Sequence, residues 1–316
     1  MKLNQLRALV AVAKAGSIQE AARLMHLTQP ALSKSIRELE REVGVPLLVR
    51  SARGATLTPY GAMIAKRSRA IQKEVDKIRE EIDSLRGELG GRVSIGLTPP
   101  AAGAALADAV SVFRQQRPSV ELHLLELRPA QIAEGLRDGT LDLGIVSQYG
   151  EAEPGGLKWS KLYSLKTLLA VGGKHENPKI SLQELDKVEW LALDGADDPH
   201  GYISTLFSEF NLPTPTRILR CSSIALYLEL ASRLSVVTHW AETGLEVLEL
   251  LFRAGRMTQL ALDVPMPDLN VLLVYQDEDL LTSAASEFVQ MLNAAVSRHR
   301  PRSGHDTRAK PRCGTP

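Results

Sequence analysis

The chain has 316 residues, of which 44% are hydrophobic and 24% are charged, a composition that is ordinary for a folded globular protein. The length allows two or three domains, and the composition excludes a disordered chain and a fibrous repeat. The net charge of +1 hides an uneven distribution, because residues 1–60 carry nine Lys or Arg against four Glu and the remainder is mildly acidic. A small basic domain joined to a larger acidic one is typical of a protein with a polyanion-binding head.

Neither end of the chain carries a recognisable targeting or membrane signal. The N-terminal apolar run is interrupted at Lys14, which makes it too short for the core of a signal peptide. No later apolar run approaches the roughly 18 residues that a membrane span needs. We therefore expect a cytoplasmic protein with no membrane partner. The two cysteines, Cys221 and Cys313, argue against a disulfide framework.

The first 58 residues predict short helices arranged as a helix-turn-helix. Ser17 begins an S-x-x-E capping box that starts a helix ending near Met25, and a tight turn leads to the next helix. Thr28 is the predicted N-cap of that helix, so Pro30 falls in its first turn, where a missing N–H is tolerated. Two helices joined so closely, the second with a polar exposed face, predict a helix-turn-helix.

The second helix of this pair has one apolar and one polar face. Its apolar stripe comprises Leu32, Ile36, Leu39 and Val43. The opposite face carries short polar groups flanked by cations: Gln29, Pro30, Ser33, Lys34 and Arg37. The following stretch, VPLLVRSARGATLTP, predicts a β-hairpin wing with Arg50 and Arg53 near its tip.

A long helix is predicted from the Thr58-Pro59 pair to about Leu89. Its apolar residues follow a heptad seam that consists of Ile64, Ile71, Val75, Ile78, Ile82, Leu85 and Leu89, with Ser68 as the one polar member. This seam predicts pairing with a second copy of the helix. The alternative is that the helix packs only on its own domain.

Strands and helices alternate after the glycines at positions 87, 90 and 91, which mark a domain boundary. Near-continuous apolar strands such as LDLGIV and LNVLLVY predict largely parallel sheets that are covered on both faces. About 200 residues is large for one such sheet, so two α/β lobes with a cleft between them are expected. The polar segment 299–316 is predicted to be a disordered tail.

The N-terminal sequence GSIQEAARLMHLTQPALSKSIRELEREVGVPLLVR, followed by LTPYG, strongly resembles the winged helix-turn-helix of LysR-type transcriptional regulators. The resemblance extends, with less specific motifs, to about residue 298. It implies a winged helix-turn-helix domain over 1–58, a linker helix over 59–89 and a two-lobed domain of the periplasmic-binding-protein type. Lobe 1 would comprise 92–161 and 267–298, and lobe 2 would comprise 162–264.

The resemblance also implies a function. A homodimer, often assembling into a tetramer, would bind double-stranded promoter DNA and change transcription when a small-molecule effector enters the cleft. RNA polymerase is left open as a further partner, and no cofactor is implied. The effector is expected to be a small organic anion.

The recognition helix of such a protein would present Gln29 and Ser33 to base edges, and Pro30 to a thymine methyl group. Lys34, Arg37 and Arg50 would contact phosphates, which set register and affinity. Arg53 would enter the minor groove from the wing. Ser17 and Thr28, at the starts of the two helices, complete the predicted DNA-binding residues.

The effector residues are predicted from strand ends, because ligands of open parallel sheets bind outside the carboxyl ends of strands. Thr98 is the first candidate, followed at the same strand–helix junction by Pro99, Pro100, Ala101 and Ala102. The next strand end offers Ser147 and Gln148. The second lobe would supply Ser222, Ser223, Thr238 and His239.

Three alternative functions compete with this one. An enzyme on the same α/β body would need a catalytic motif, and neither a G-x-S-x-G nor an H-E-x-x-H motif occurs. The seven histidines form no metal-ligand spacing, so no catalytic or metal site is predicted. A cysteine-based redox sensor of the same family would depend on Cys221, for which a small buried residue is the alternative interpretation. A solute-binding protein would have no use for the basic head.

Overall fold

The computed structural model describes residues 1–51, 54–85, 90–150, 155–176, 178–181, 183–193 and 201–299. Within these ranges the helices are α1 (Leu3–Ala15), α2 (Ile18–Leu24), α3 (Gln29–Val43), α4 (Pro59–Leu85), α5 (Ala104–Gln116), α6 (Pro129–Arg137), α7 (Tyr202–Glu209), α8 (Ile224–Arg233), α9 (Leu245–Arg253) and α10 (Ser283–His299). None of these helices is long and apolar enough to cross a membrane.

The strands of the described residues fall into two five-stranded sheets and two small two-stranded sheets. They are β1 (Leu48–Ser51), β2 (Gly54–Leu57), β3 (Arg92–Leu97), β4 (Glu121–Glu126), β5 (Leu143–Gln148), β6 (Lys158–Leu165), β7 (Thr167–Gly172), β8 (Lys179–Ile180), β9 (Trp190–Ala192), β10 (Ile218–Arg220), β11 (Val237–Ala241), β12 (Met257–Gln259), β13 (Ala261–Leu262) and β14 (Leu269–Tyr275).

The N-terminal head is a three-helix domain with a two-stranded wing. Its core contains the buried stripe of α3 packed against α1 and the small residues Ala21 and Ala22 of α2. Gly16 ends α1 with φ of +68°, a left-handed conformation that favours glycine. The wing is fastened to the helices because the carboxylate of Glu40 accepts hydrogen bonds from the backbone of Leu47 and Leu48.

Helix α4 begins where the sequence predicts, since the Thr58 hydroxyl accepts a hydrogen bond from Gly61 N. Its 27 residues give a length of about 40 Å. The predicted seam residues Ile71, Ile78 and Ile82 are exposed, and Leu89 lies outside the described residues. The first turns differ from the prediction: Ile64 packs against the head, and the buried Ser68 donates to the Ile64 carbonyl.

A different face of α4 packs on the protein's own effector domain, through basic residues. Lys66 Nζ lies 3.0 Å from Glu134 Oε1, and Arg69 Nε lies 3.8 Å from Asp138 Oδ2. One turn further along, Lys73 Nζ is 3.7 Å from Asp142 Oδ1, and both of these side chains are almost fully buried. The two interpretations of this helix therefore apply to different faces, since its basic face packs on its own domain and Ile71, Ile78 and Ile82 of its apolar seam are exposed.

The first sheet has the strand order β4-β3-β5-β14-β6. Strands β4, β3 and β5 are parallel, whereas β14 and β6 run antiparallel to their neighbours. Helices α5 and α10 pack together on it, with Phe113 and Phe288 in edge-to-face contact at 5.4 Å between ring centroids. This sheet is the core of lobe 1.

The second sheet has the order β10-β9-β11-β7-β12 and repeats the same plan. Strands β10, β9 and β11 are parallel, and β7 and β12 are antiparallel to their neighbours. Four of the five strands in each sheet therefore run in one direction, as predicted, and only β14 and β7 run against the others. In lobe 1 the strand β14 comes from the C-terminal end of the chain, so this lobe joins segments that are distant in sequence.

The predicted lobe boundary also needs a correction. Strand β6 was not predicted, because its sequence KWSKLYSL at an edge of the sheet has neither a continuous apolar run nor a strict alternation of polar and apolar residues. It pairs with β14 as far as Leu165, so residues 162–165 belong to lobe 1 and not to lobe 2. The predicted tail also begins one residue later, because His299 ends α10 and its Nε2 lies 3.0 Å from Asp108 Oδ2. Residues 300–316 lie outside the described residues.

We predict that Lys73→Met lowers the free energy of unfolding by about 3 kcal/mol, because it leaves the Asp142 carboxylate buried without its cation. Chemical denaturation of the full chain measures this change. The matched control is Lys66→Met, which removes a solvent-exposed pair and should cost less than about 1 kcal/mol. Equal losses for the two variants would contradict the assignment of the buried pair.

Candidate functional site

The head presents the polar face of α3 to solvent. Gln29, Pro30, Lys34 and Arg37 are exposed, whereas Ser33 is half-buried. Lys34 makes only a long contact with Glu38, 4.0 Å between Nζ and Oε1, and both side chains remain accessible. The exposed side chains of Gln29, Lys34 and Arg37 are therefore accessible to another molecule along one side of the helix.

The two predicted helix starts are capped by their own side chains. Ser17 Oγ accepts a hydrogen bond from Glu20 N at 3.0 Å, and Thr28 Oγ1 accepts one from Ala31 N at 3.4 Å. Their hydroxyl oxygens are thus engaged in starting α2 and α3. Arg50 lies in strand β1, but its side chain, like the whole of Arg53, lies outside the described residues.

A cleft of about 540 Å³ separates the two lobes, and we call it the polar cleft. Five of the predicted effector residues line it: Thr98, Pro99, Ser147, Gln148 and Ser222. Its basic lining residues are Arg128 and Arg137, and its acidic one among the described residues is Glu126. The local charge balance therefore favours an anion.

Thr98 and Ser147 join the carboxyl ends of two parallel strands at the base of this cleft. Ser147 N donates to Thr98 Oγ1 at 2.8 Å, and the two hydroxyl oxygens are 2.8 Å apart. Both residues are only 1% exposed. The sequence predicted Thr98 as a free donor to a ligand, but its hydroxyl is already bonded within the protein.

A second cavity of about 170 Å³ lies beside the polar cleft, and we call it the apolar chamber. Three predicted residues line only this chamber: Pro100, Ala102 and His239. Its other walls include Ile203, Ile224, Tyr227 and Trp240. Pro99, Leu193 and Tyr202 line both cavities and therefore form the wall between them.

An aromatic cluster connects the lobes at this wall. Tyr149 of lobe 1 and His239 of lobe 2 share a hydrogen bond of 2.5 Å between Oη and Nε2. Tyr202 stacks on the His239 ring at 5.6 Å between centroids, and its hydroxyl donates to Ser147 O at 3.4 Å. Burial lowers the pKa of His239 to about 4 and raises the pKa of the Tyr149 phenol. This bond therefore joins two uncharged side chains at neutral pH.

Three predicted effector residues line neither cavity. Ala101 is fully buried in the core of the domain. Ser223 caps α8, since its Oγ accepts from Leu226 N at 3.4 Å. Thr238 is fully buried, where it donates to Ala170 O and accepts from Trp240 Nε1. The Ala101 amide, which donates to Thr98 O at 2.9 Å, and the two hydroxyls are thus used by the fold, and these assignments are corrected.

Sequence reasoning missed the residues that give the polar cleft its chemistry. Arg128 and Arg137 lie at the two ends of α6. Trp159 lies on the unpredicted strand β6, and its indole N–H has no hydrogen-bond partner within the described part of the chain. Tyr149 and Tyr202 could have been suspected from their places at a strand end and a helix start.

A basic helix-turn-helix head joined by a long helix to a two-lobed domain with a polar cleft defines a ligand-responsive DNA-binding protein. Residues 3–62 match the family described as bacterial regulatory helix-turn-helix protein, lysR family. Residues 86–297 match the LysR substrate binding domain. The chain therefore belongs to the LysR family of transcriptional regulators.

Curated relatives align with part of this chain. The regulator YybE of Bacillus subtilis is 29% identical over 215 residues, which are 67% of this chain and 73% of that protein. The hydrogen peroxide-inducible genes activator of Haemophilus influenzae is 31% identical over 61% of this chain and 65% of its own length. The Hca operon activator HcaR of Escherichia coli is 36% identical over 46% of this chain and 49% of its own length.

Solved structures share the whole architecture. A full-length OxyR variant from Pseudomonas aeruginosa has a TM-score of 0.65 at 19% identity, and the match covers 94% of each chain. CbnR in complex with its target DNA has a TM-score of 0.63 at 20% identity, and the match covers 93% of this chain and 100% of CbnR. At these identities the likeness establishes the fold.

We predict that acidification destabilises the protein through His239. The unfolded chain binds a proton on this residue below about pH 6.5, whereas the folded chain does so only near pH 4. The free energy of unfolding should therefore fall as the pH drops through this window. His239→Gln should show a shallower fall in denaturation measured from pH 7 to pH 4.5. His123→Gln, at a partly exposed ring, is the control, and a wild-type slope in His239→Gln would refute the prediction.

Proposed function

We propose that this protein is a homodimeric, sequence-specific DNA-binding regulator of transcription, with a tetramer as a further assembly, and that it acts in the cytoplasm on promoter DNA. The observation that carries the proposal is the exposed polar face of α3, where Gln29 lies beside Lys34 and Arg37. Glutamine can pair bidentately with adenine in the major groove, and the cations suit phosphates. Ser33, Pro30, Arg50 and Arg53 are proposed to support this reading.

The effector is proposed to be a small organic anion in the polar cleft. Arg128 and Arg137 supply positive charge there, and α6 begins at the same place with its N-terminus. Ser147, Gln148 and Ser222 add polar lining. An acceptor on the ligand would also satisfy the Trp159 indole N–H, whose lack of a partner is costly in a buried position.

The dimer is proposed to form along the exposed seam of α4. Ile71, Ile78 and Ile82 are each more than 40% exposed and follow a heptad spacing. Apolar residues in such a row are typical of an interface with another helix. A dimer with two-fold symmetry would place two α3 helices on an inverted-repeat DNA site.

The redox alternative receives no support from the geometry at Cys221. This cysteine is buried, and its Sγ donates to Ser223 O at 3.3 Å. It is the one cysteine in the described ranges, because Cys313 falls outside them. We therefore favour an effector molecule over a thiol switch.

Fluorescence anisotropy tests the DNA-binding function. The purified chain is titrated with a duplex from upstream of its own gene and with a scrambled duplex, across a salt series. A preference for the upstream duplex that persists at physiological salt is expected. Equal weak binding to both duplexes, repeated on genome-wide fragments, would refute the function.

Two substitutions then separate base reading from phosphate contact. Gln29→Ala should lower discrimination at a single base pair by about 1–3 kcal/mol, because a bidentate contact is lost. Arg37→Ala should instead weaken all duplexes alike and flatten the salt dependence. Binding is measured on the preferred site and its single-base-pair variants. A uniform loss in Gln29→Ala would remove its base-reading role.

We predict that Ile78→Asp weakens the dimer by about 100-fold or more, because a carboxylate would be buried in the seam. Sedimentation velocity over a concentration series measures the monomer–dimer equilibrium. Asp76→Lys is the matched control, since Asp76 is exposed and lies on another side of the same helix. An unchanged dimer in Ile78→Asp would place the interface elsewhere.

A further inference from the structure

The apolar chamber has walls from both lobes and a lining without charge. Pro99 and Pro100 contribute from lobe 1, while Ile203, Tyr227 and Trp240 contribute from lobe 2. His239 is uncharged at neutral pH, and no Asp, Glu, Lys or Arg occurs among the described residues that line the chamber. This separates the chamber from the polar cleft, where two arginines and a glutamate are present.

The polar side chains of the chamber are already bonded to the protein. Tyr227 Oη donates to His239 O at 3.2 Å, and Trp240 Nε1 donates to Thr238 Oγ1 at 2.7 Å. Thr243 Oγ1 donates to Pro100 O at 3.2 Å across the two lobes. A charged ligand would lose its hydration here without gaining an ionic partner from the described lining, and that loss is costly.

The volume of the chamber limits the size of what it can hold. At about 170 Å³ it is close to the roughly 150 Å³ of an apolar cavity that binds benzene or xenon in another protein. Its flat aromatic walls, Tyr202, Tyr227 and Trp240, suit a ring, because aromatic rings gain from stacked and edge-to-face contacts.

We propose that the apolar chamber is a second ligand site, separate from the polar cleft, and that it binds an uncharged molecule with a single six-membered ring. The ligand contacts Pro99 on lobe 1 and Tyr202 on lobe 2, so its binding stabilises the closed arrangement of the lobes. It also packs against the wall that the two cavities share, and thereby couples the chamber to the cleft. The proposed site is separate from the DNA-binding function, and its occupancy can be measured without DNA.

Fluorobenzene is the probe, and its binding to the full chain is followed by fluorine NMR and by thermal unfolding. Saturable binding and a rise in Tm of about 2–4 °C are expected. Ile224 lies at the mouth of the chamber and is 46% exposed. Ile224→Trp should weaken fluorobenzene at least about tenfold, because the larger side chain occupies the chamber.

Leu226→Trp is the matched control, since Leu226 lies on the same helix, is 51% exposed and does not line the chamber. It should bind fluorobenzene as the wild type does. If Ile224→Trp unfolds, Ile224→Asp replaces it and should weaken the probe by placing a charge at the mouth. The charged analogue 4-fluorobenzoate should bind Ile224→Trp as it binds the wild type, because it does not enter the chamber. Absence of saturable fluorobenzene binding, full fluorobenzene binding by both Ile224 variants, or loss of 4-fluorobenzoate binding in Ile224→Trp would each overturn the proposal.

Discussion

The buried carboxylate of Asp142 joins three parts of the molecule that are far apart in the sequence. One oxygen accepts a hydrogen bond from Ser94 N in β3, and the other faces the ammonium of Lys73 on α4. A carboxylate in such a dry position requires partners for both oxygens, so strand and helix are held to each other by its charge. Helix α4 and lobe 1 lie close together here, since a Cβ added at Gly139 would lie 3.1 Å from the Lys73 side chain. The orientation of α4 on lobe 1 depends on this contact.

The same pair of strands connects that junction to the polar cleft. Strand β3 has Ser94 near its start and is followed at its end by Thr98, about 13 Å away. Strand β5 follows Asp142 directly and carries Ser147 near its end. Because Thr98 and Ser147 are bonded to each other, a ligand that displaced one strand relative to the other would disturb both ends of the pair. The strands thus form a short, stiff link between the cleft and the helix that leads to the head.

The sequence predicted those elements that are marked by local patterns, such as N-cap residues and apolar stripes. Thr28, Pro30 and the stripe of α3 defined a helix with its start and its buried face, and Thr58 defined the start of α4. Contacts between distant segments left no such signal. Strand β6 is defined by its pairing with β14, which lies about 110 residues later in the chain. Lys73 has the sequence context of a solvated lysine, and only the fold brings Asp142 against it. Thr98 was placed correctly at the cleft, but its partner Ser147 was predicted as a second, independent contact.

The position of β14 has a consequence for how the chain is built during synthesis. Lobe 2 has all five strands of its sheet by Gln259, whereas lobe 1 waits for Leu269–Tyr275 to supply the strand that separates β5 from β6. The first lobe to begin emerging from the ribosome is thus the last to be completed, and its apolar strands stay partly uncovered while the second lobe forms. Lobe 2 is in effect an insertion within lobe 1, and a nascent chain that stops before β14 exposes an unpaired edge to its neighbours.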